Sequence, residues 1–142
     1  MSETDPIAHG LPHRAPFVFI DRVLEVVPGT RAVCVKTFPE TESFFRGHFP
    51  GDPIVPGVIL AEALAQTAGL AVGQPGRSFR LTAIKMMKFL RAARPLDEIT
   101  MIAEKTGEMA GLLQLKTEAK VGNELVAEGV VILSEASPLS AQ

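Results

Sequence analysis

One continuous apolar stretch, residues 57–73, constrains the fold of this chain more than any other feature. Ala, Leu, Ile, Val and Gly fill it, and its only hydrogen-bonding side chains belong to Glu62, Gln66 and Thr67. A helix that is apolar on every side is either buried in protein or spans a membrane. The stretch has room for about 16 helical residues, roughly 24 Å in length. A membrane span needs more, roughly 20 apolar residues. The stretch therefore predicts a helix at the centre of a protein core.

A carboxylate within such a helix points to a functional site. Glu62 and Gln66 are four residues apart, so they share one face of the helix. A charged carboxylate is costly to bury, and an apolar setting therefore favours the protonated carboxyl, which can act as a general acid. Gln66 could hydrogen-bond this carboxyl and fix its rotamer. The alternative is that Glu62 reaches solvent at the edge of the helix or pairs with a buried arginine.

A loop rich in glycine and proline, residues 47–56, precedes the helix and carries one histidine, His48. Its prolines exclude a helix or a central strand, so we expect an irregular loop that leads directly into the helix. A helix that starts at Gly57 presents unused backbone N–H groups, and neither Pro56 nor Gly57 has a side chain that could cap them. The segment thus combines a candidate base, a candidate acid at Glu62 and a candidate oxyanion site.

The composition excludes several classes of protein. A formal net charge of −2 gives no electrostatic case for binding nucleic acid or a membrane surface. Residues 1–10 lack the pattern of a signal peptide. The single cysteine, Cys34, excludes an internal disulfide and is typical of a reducing compartment, so we expect the cytoplasm. The length of 142 residues fits one domain, with residues 1–10 and 135–142 as loose tails.

Around the helix the sequence predicts strands that are joined mostly by short turns. The candidate strands are residues 17–27, 31–38, 79–89, 97–106, 112–121 and 124–134. By composition alone the first of these segments fits either a helix or a strand. Gly122 and Asn123 form a short hairpin signal between the last two strands. One helix packed on an antiparallel sheet is an α+β architecture, and the edges of its sheet need cover, for example from a second copy.

The sequence GHFPGDPIVPGVILAEALAQ, residues 47–66, resembles the signature of the 3-hydroxyacyl-acyl-carrier-protein dehydratases of fatty-acid synthesis. LPHRAPFVFIDRV, residues 11–23, resembles the N-terminal motif of the same family. The spacing from His48 to Glu62 also matches, and the resemblance covers about residues 11–133. The family has the hotdog fold, in which a curved antiparallel sheet of about six strands wraps a long central helix. A glutamate at position 62 is typical of the branch that dehydrates without isomerising.

The resemblance implies loss of water from a (3R)-3-hydroxyacyl thioester to give a trans-2-enoyl thioester. His48 would remove the C2 proton as general base, and Glu62 would protonate the departing hydroxyl group. The resemblance further implies that the Gly57 N–H stabilises the thioester carbonyl, that the Ile54 carbonyl holds the imidazole and that Gln66 belongs to the substrate site. We expect no cofactor and no metal, because one His and one Glu are too few for a zinc site.

The resemblance also implies partners. The acyl group would be carried on the phosphopantetheine arm of acyl carrier protein, an acidic partner. Candidate residues for docking it are Lys85, Lys88, Arg91 and Arg94. The alternative is that these residues form an ordinary solvated basic edge. A homodimer or a trimer of dimers is expected, with each active site built from two chains.

Two further functions fit the same fold. A hotdog thioesterase would use a carboxylate to activate water at the thioester carbonyl, and it would not need the histidine loop. A silent acyl-binding or dimer-partner subunit would leave His48 and Glu62 as bystanders. A second histidine, His13, lies in a turn over residues 11–16, and we interpret it as a structural or exposed turn residue. Cys34 is interpreted as a small core residue rather than a nucleophile.

Overall fold

A computed structural model describes residues 4–136 of this chain. The elements in chain order are β1 (Arg22–Val27), β2 (Arg31–Thr37), a 3₁₀ helix (Ser43–Arg46), α1 (Gly57–Val72), β3 (Phe79–Phe89), β4 (Glu98–Met109), β5 (Leu112–Val121) and β6 (Glu124–Glu135). One long helix and six strands confirm the predicted α+β architecture. The helix has the expected 16 residues.

All six strands belong to one antiparallel sheet in the order β1-β2-β4-β5-β6-β3. Register shifts interrupt every strand pair except β2 with β4. Such bulges bend strands and increase their twist, so the sheet curves. The curved sheet wraps α1, which contacts all six strands. Strands β1 and β3 form the two edges of the sheet within one chain.

The core forms where the helix meets the concave face of the sheet. Ala63, Ala68 and Leu64 of α1 are completely buried, as are Ile99 and Met101 of β4. Alanine side chains add little bulk, so the sheet can approach the helix backbone closely on several sides. This packing explains why the helix needs no polar face along most of its length.

The first predicted strand is shorter than expected, because β1 begins at Arg22 and residues 17–21 are irregular. The Gln66 amide forms hydrogen bonds with two backbone groups that a strand would use to pair with its neighbour. Its Oε1 accepts from the Phe19 N–H at 2.9 Å, and its Nε2 donates to the Phe17 carbonyl at 3.1 Å. The segment is therefore tied to the helix instead of extending the sheet.

The hairpin between β4 and β5 is longer than predicted, with β4 continuing to Met109. Ala110 and Gly111 connect the strands with φ values of 52° and 80°. Positive φ at both central residues is the requirement of a type I′ turn, which matches the twist of the flanking strands. Alanine is an uncommon residue for such a turn, and the sequence therefore carried no clear signal for it.

The chain ends were predicted as loose tails, and the structure describes part of each. Glu135 is the last residue of β6, and the Ala136 N–H donates to the Ser78 carbonyl at 2.9 Å, so these two residues are not loose. Residues 4–10 form hydrogen-bonded turns, in which the Thr4 carbonyl accepts from the Val23 N–H at 2.7 Å. Residues 1–3 and 137–142 lie outside the described residues, and the single-domain assignment stays a prediction. Within the described residues, no helix is long and apolar enough to cross a membrane.

Candidate active site

The first turn of α1 presents backbone N–H groups that the protein itself does not use. Pro56 at the N-cap makes no side-chain hydrogen bond, and the first turn has no acidic residue. The first helical bonds run from Ile59 and Leu60 to the Pro56 carbonyl. Among the described residues, the N–H groups of Gly57 and Val58 therefore have no acceptor. These groups and the positive end of the helix dipole favour an oxygen that carries negative charge.

The loop before α1 holds the His48 ring in one orientation. Its Nδ1 lies 3.1 Å from the Ile54 carbonyl oxygen, and the Ile54 N–H donates back to the His48 carbonyl at 2.9 Å. The next residue, Val55, is anchored by a 2.7 Å bond from its N–H to the Ala93 carbonyl. Because a carbonyl oxygen can only accept, Nδ1 carries the proton in this contact. The neutral ring therefore has its lone pair on Nε2.

His48 and the start of α1 border one cavity of about 380 Å³. Its walls include Gly57, Leu60, Phe89 and Leu90. A Cβ atom at position 57 would come within 3.1 Å of the Phe89 ring, so any larger residue would need this ring to shift by a few tenths of an ångström. The cavity is thus bordered both by an imidazole that can take a proton and by a helix start with unused N–H groups.

Glu62 borders a second cavity, of about 300 Å³, on another face of α1. The cavity continues along the helix past Gly69 and Gly73 and reaches Leu81 and Leu133 of the sheet. The Glu62 side chain is 21% exposed. The carboxyl therefore faces a cavity and does not have the wholly apolar setting that the helix sequence suggested, because glycines on this face leave space beside it.

Gln66 fixes the Glu62 carboxyl through the predicted hydrogen bond, at 3.1 Å from Nε2 to Oε2. The Gln66 side chain is 1% exposed, and its carbonyl oxygen accepts from Phe19 while its other N–H donates to Phe17. Both amide N–H groups are thus used inside the protein. Gln66 was predicted to belong to the substrate site. Its contribution there is indirect, because it orients Glu62 and has no free N–H group to offer a ligand.

A second histidine, His13, also lies beside Glu62, with its Nε2 3.5 Å from Oε2. Arg14 stabilises the turn that carries it by donating from Nη1 to the carbonyls of Leu11 at 2.9 Å and His13 at 2.8 Å. The sequence interpretation placed His13 in a turn correctly but missed its contact with the helix. The residues that meet are far apart in the chain, so local spacing contained no signal for this contact.

The two cavities lie on different faces of α1. Gly57 and Glu62 are five residues apart, which turns their side-chain directions about 140° from one another. Leu60 lines the first cavity and Gln66 the second, and no described residue lines both. The structure therefore brings Ile54 and Gly57 to His48, but it does not bring Glu62 into the same cavity of one chain.

Three of the four predicted docking residues lie at or near the exposed face of β3. Lys85 donates to Gln114 Oε1 at 3.0 Å, while Lys88 continues the same strand. Arg91 follows β3, with its Nε 3.5 Å from Glu124 Oε2. Both partners of this ion pair are more than half exposed, so the pair is worth little and leaves the Arg91 cation accessible.

Arg94 differs from the other three basic residues because it contacts the histidine loop. Its Nη1 donates to Asp52 Oδ1 at 2.7 Å and to the Pro53 carbonyl at 3.3 Å. Its backbone N–H donates to Asp97 Oδ2 at 2.8 Å. This geometry gives Arg94 a role in holding the loop that carries His48, in addition to any contact with a partner.

Cys34 is chemically silent in the folded chain. Burial raises the pKa of its thiol from the ordinary 9.0 to about 12, against the lowering effect of a hydrogen bond with Thr67. The thiolate is the reactive form, so Cys34 supplies no nucleophile near neutral pH. In the part of the chain that the structure describes, no group of three or more His, Cys, Asp or Glu side chains could hold a metal ion.

Comparison with known protein families gives a consistent result. Residues 11–130 match the FabA-like domain family. A 3-hydroxyacyl-[acyl-carrier-protein] dehydratase FabZ from Acetivibrio thermocellus is 45% identical over 125 residues, covering 85% of this chain and 86% of the relative. The FabZ from Clostridioides difficile is 36% identical over 138 residues, covering 94% and 97%.

Solved structures show the same fold at greater sequence distance. A chain of the dehydratase heterocomplex ApeI:P from Xenorhabdus doucetiae superposes with a TM-score of 0.76 at 15% identity, covering 96% of this chain and 94% of that one. The virulence protein Cj0977 from Campylobacter jejuni superposes with a TM-score of 0.70 at 10% identity, covering 91% and 84%. At these identities the likeness establishes the fold alone.

Proposed function

This chain belongs to the family of FabA-like 3-hydroxyacyl-acyl-carrier-protein dehydratases, and from that premise we propose that it converts a (3R)-3-hydroxyacyl thioester to a trans-2-enoyl thioester in fatty-acid synthesis. The observation that carries the proposal is the cavity lined by both His48, whose Nδ1 is held by the Ile54 carbonyl, and Gly57, whose N–H is unused at the start of α1. A base beside an oxyanion site is what proton abstraction next to a thioester carbonyl requires.

His48 acts as the general base. The C2 proton of a 3-hydroxyacyl thioester is weakly acidic, so its removal needs a base that is positioned and neutral at the working pH. The contact between Nδ1 and the Ile54 carbonyl supports the tautomer with a basic Nε2. As Nε2 takes the proton, the Ile54 carbonyl also stabilises the imidazolium that forms.

The helix start stabilises the charge that moves onto the thioester carbonyl. The Gly57 N–H is unused by the protein and points out of the first turn of α1. A backbone donor at a helix terminus needs no reorganisation when charge develops, which makes it more effective than a water molecule. A side chain at position 57 would crowd the Phe89 ring, whereas glycine leaves space beside this donor.

Glu62 acts as the general acid. Its proton goes to the C3 hydroxyl group, the C3–O bond breaks with its electron pair on oxygen, and water leaves. The electron pair of the former C2–H bond forms the C2–C3 double bond, while the C2 proton stays on His48. Glu62 ends the step as a carboxylate, and Gln66 holds that carboxylate by its hydrogen bond. Return of one proton from imidazolium to carboxylate through solvent resets the site.

Each site is completed by a second copy of the chain. Within one chain His48 and Glu62 border separate cavities on different faces of α1, so neither cavity alone contains both base and acid. The β3 edge is unpaired within one chain, and it exposes Leu81, Ile84 and Met86 by 39–46%. An exposed apolar edge strand favours pairing with a second copy. We propose a homodimer on this basis, with a trimer of dimers as a further level of assembly.

The cavity beside Glu62 holds the acyl chain. It runs along the helix from Glu62 past Gly69 to Gly73, roughly 16 Å at the rise of an α-helix. Leu81 and Leu133 give it apolar walls at the far end. We propose that the acyl chain extends from its reacting carbons at Glu62 into this cavity and lies against the glycine-lined face of the helix.

Acyl carrier protein is the proposed macromolecular partner, with Lys88 and Arg91 as the residues that dock it. Arg91 forms part of the wall of the His48 cavity, and Lys88 directly precedes Phe89, another residue of that wall. Lys85 and Arg94 have stronger contacts to Gln114 and Asp52, which makes them weaker docking candidates. The proposed compartment is the cytoplasm, in keeping with a single reduced cysteine.

Purified protein incubated with a 3-hydroxyacyl thioester is expected to form enoyl product without release of free thiol. His48→Ala should lower the rate by roughly 10²–10⁴-fold, because it removes the general base. Enoyl formation is followed by its ultraviolet absorbance and free thiol by a thiol reagent. Thiol release would identify a thioesterase, and neither product would identify a silent acyl-binding subunit.

Mixed dimers of His48→Ala and Glu62→Gln chains should recover activity that neither chain has alone. One site of a mixed dimer carries both defects and the other carries none. Random pairing makes half of the dimers mixed, so a symmetric dimer should regain roughly one quarter of wild-type activity. Subunit exchange is verified by mass spectrometry of tagged chains. Confirmed exchange without recovered activity would show that each site lies within one chain.

Gly69→Leu should shorten the range of acyl chains that the protein accepts. A Cβ at position 69 meets no atom within 4 Å, so the new side chain starts in open space and extends into the cavity. Turnover of a twelve-carbon substrate should fall roughly tenfold or more, whereas a four-carbon substrate should be spared. Gly69→Ala is the matched control and should have a smaller effect. Equal losses on both substrates would contradict the assigned cavity.

Replacing Lys88 and Arg91 by Glu should weaken turnover of carrier-bound substrate at low salt. The same double variant should process a short pantetheine thioester at the wild-type rate, since docking charges act on the carrier and not on the chemistry. Lys116→Glu, an exposed change on β5, is the control and should leave both substrates unaffected. An equal decrease with both substrates would place these residues outside a docking surface.

A further inference from the structure

His13 is the one histidine near the helix that the proposed reaction leaves without a role. Its Nε2 lies 3.5 Å from Glu62 Oε2, and its Nδ1 is buried with no hydrogen-bond partner among the described residues. The ring stacks on Phe17, with 6.1 Å between the centroids and 25° between the planes. The Phe17 carbonyl is in turn bound by Gln66. The imidazole is thus held by its turn and by a stacked ring rather than lying free at the surface.

The hydrogen-bond network determines which atoms of Glu62 are acceptors. The Gln66 amide is oriented by the Phe19 N–H on its oxygen and the Phe17 carbonyl on its nitrogen. Its second N–H must therefore point at Glu62 Oε2, which accepts. His13 approaches the same Oε2. Glu62 Oε1, by contrast, has no partner among the described residues.

The proton on His13 follows from its buried nitrogen. An imidazolium would bury a charged Nδ1–H without a partner, and burying an unpaired charged donor costs more than burying a neutral lone pair. The neutral ring with its proton on Nε2 avoids that cost and directs an N–H group towards Glu62 Oε2. The other charged groups around this ring are Arg14, next to it in the turn, and Arg80, which lines the same cavity.

We propose that His13 is a positioning residue for the general acid, and this inference rests on the proposed dehydration. Gln66 donates to Glu62 Oε2, and the His13 Nε2–H group lies 3.5 Å from the same oxygen. Together they leave Oε1 as the oxygen that carries and delivers the proton. When Oε1–H protonates the C3 hydroxyl group, negative charge develops on the carboxyl group. The Gln66 donor that is already in place and the His13 N–H group beside it stabilise that charge as it forms, which lowers the barrier to proton transfer.

Removal of the His13 donor should lower kcat and leave KM nearly unchanged. His13→Phe keeps the ring that stacks on Phe17 but cannot donate to Glu62, so we expect kcat to fall roughly ten- to hundredfold. His13→Gln places an amide N–H near the former Nε2 and should recover most of kcat. His13→Asn is the matched control, because its shorter amide reaches only the former Nδ1 position and should not recover activity. Thermal unfolding of each variant verifies that the protein is folded.

A double-mutant cycle separates positioning from simple packing. If His13 acts through Glu62, then His13→Phe should have little further effect in a Glu62→Gln background, where no carboxyl proton remains. A residue that only supports the turn would lower activity by the same factor in both backgrounds. Equal impairment of the Phe and Gln variants, or multiplicative effects in the cycle, would overturn the proposal. Full activity of Glu62→Gln, or no enoyl product from wild type, would instead overturn the proposed function on which it rests.

Discussion

The buried Gln66 amide is the interaction on which the arrangement around Glu62, the proposed acid, depends. It ties the segment that precedes β1 to the central helix through the backbone of Phe17 and Phe19, and it donates to Glu62 from the same nitrogen. Because the amide is almost fully buried, its donors and acceptor are worth more together than they would be in water. The same amide therefore both anchors the N-terminal segment and orients the Glu62 carboxyl. His13 reaches Glu62 because this segment is held against the helix.

The features predicted correctly from sequence are those with a local physical cause. The length of α1 follows from the apolar run between Pro56 and Gly73, and the strands follow from alternation and turn residues. Proline and glycine likewise predicted an irregular loop before the helix, whereas the contact between His48 and Ile54 was implied only by the family resemblance. These patterns need no knowledge of distant parts of the chain.

The features that could not be predicted arise where distant segments meet. The contact of His13 with Glu62 depends on the path of residues 11–21 over the helix, which no periodicity records. The late start of β1 has the same cause, since a side chain on α1 competes for backbone groups of that segment. The cavity beside Glu62 depends on glycines of the helix and leucines of two strands. The sequence shows that position 69 has no side chain. It does not show that the space beside this position stays empty in the fold.

One helix supplies chemistry to two places, and this explains why it can be apolar almost throughout. Its N-terminus offers N–H groups to the cavity of His48, while its side offers Glu62 to another cavity about 140° away. The proposed chemistry needs only the first turn and one polar pair on that side, so the remaining positions are free to pack against the curved sheet. In the proposed homodimer, each helix would contribute its start to one active site and its carboxyl to the other. Any change that displaces the helix relative to the sheet would therefore disturb both sites at once, which makes precise packing of its alanine faces a condition of catalysis as well as of stability.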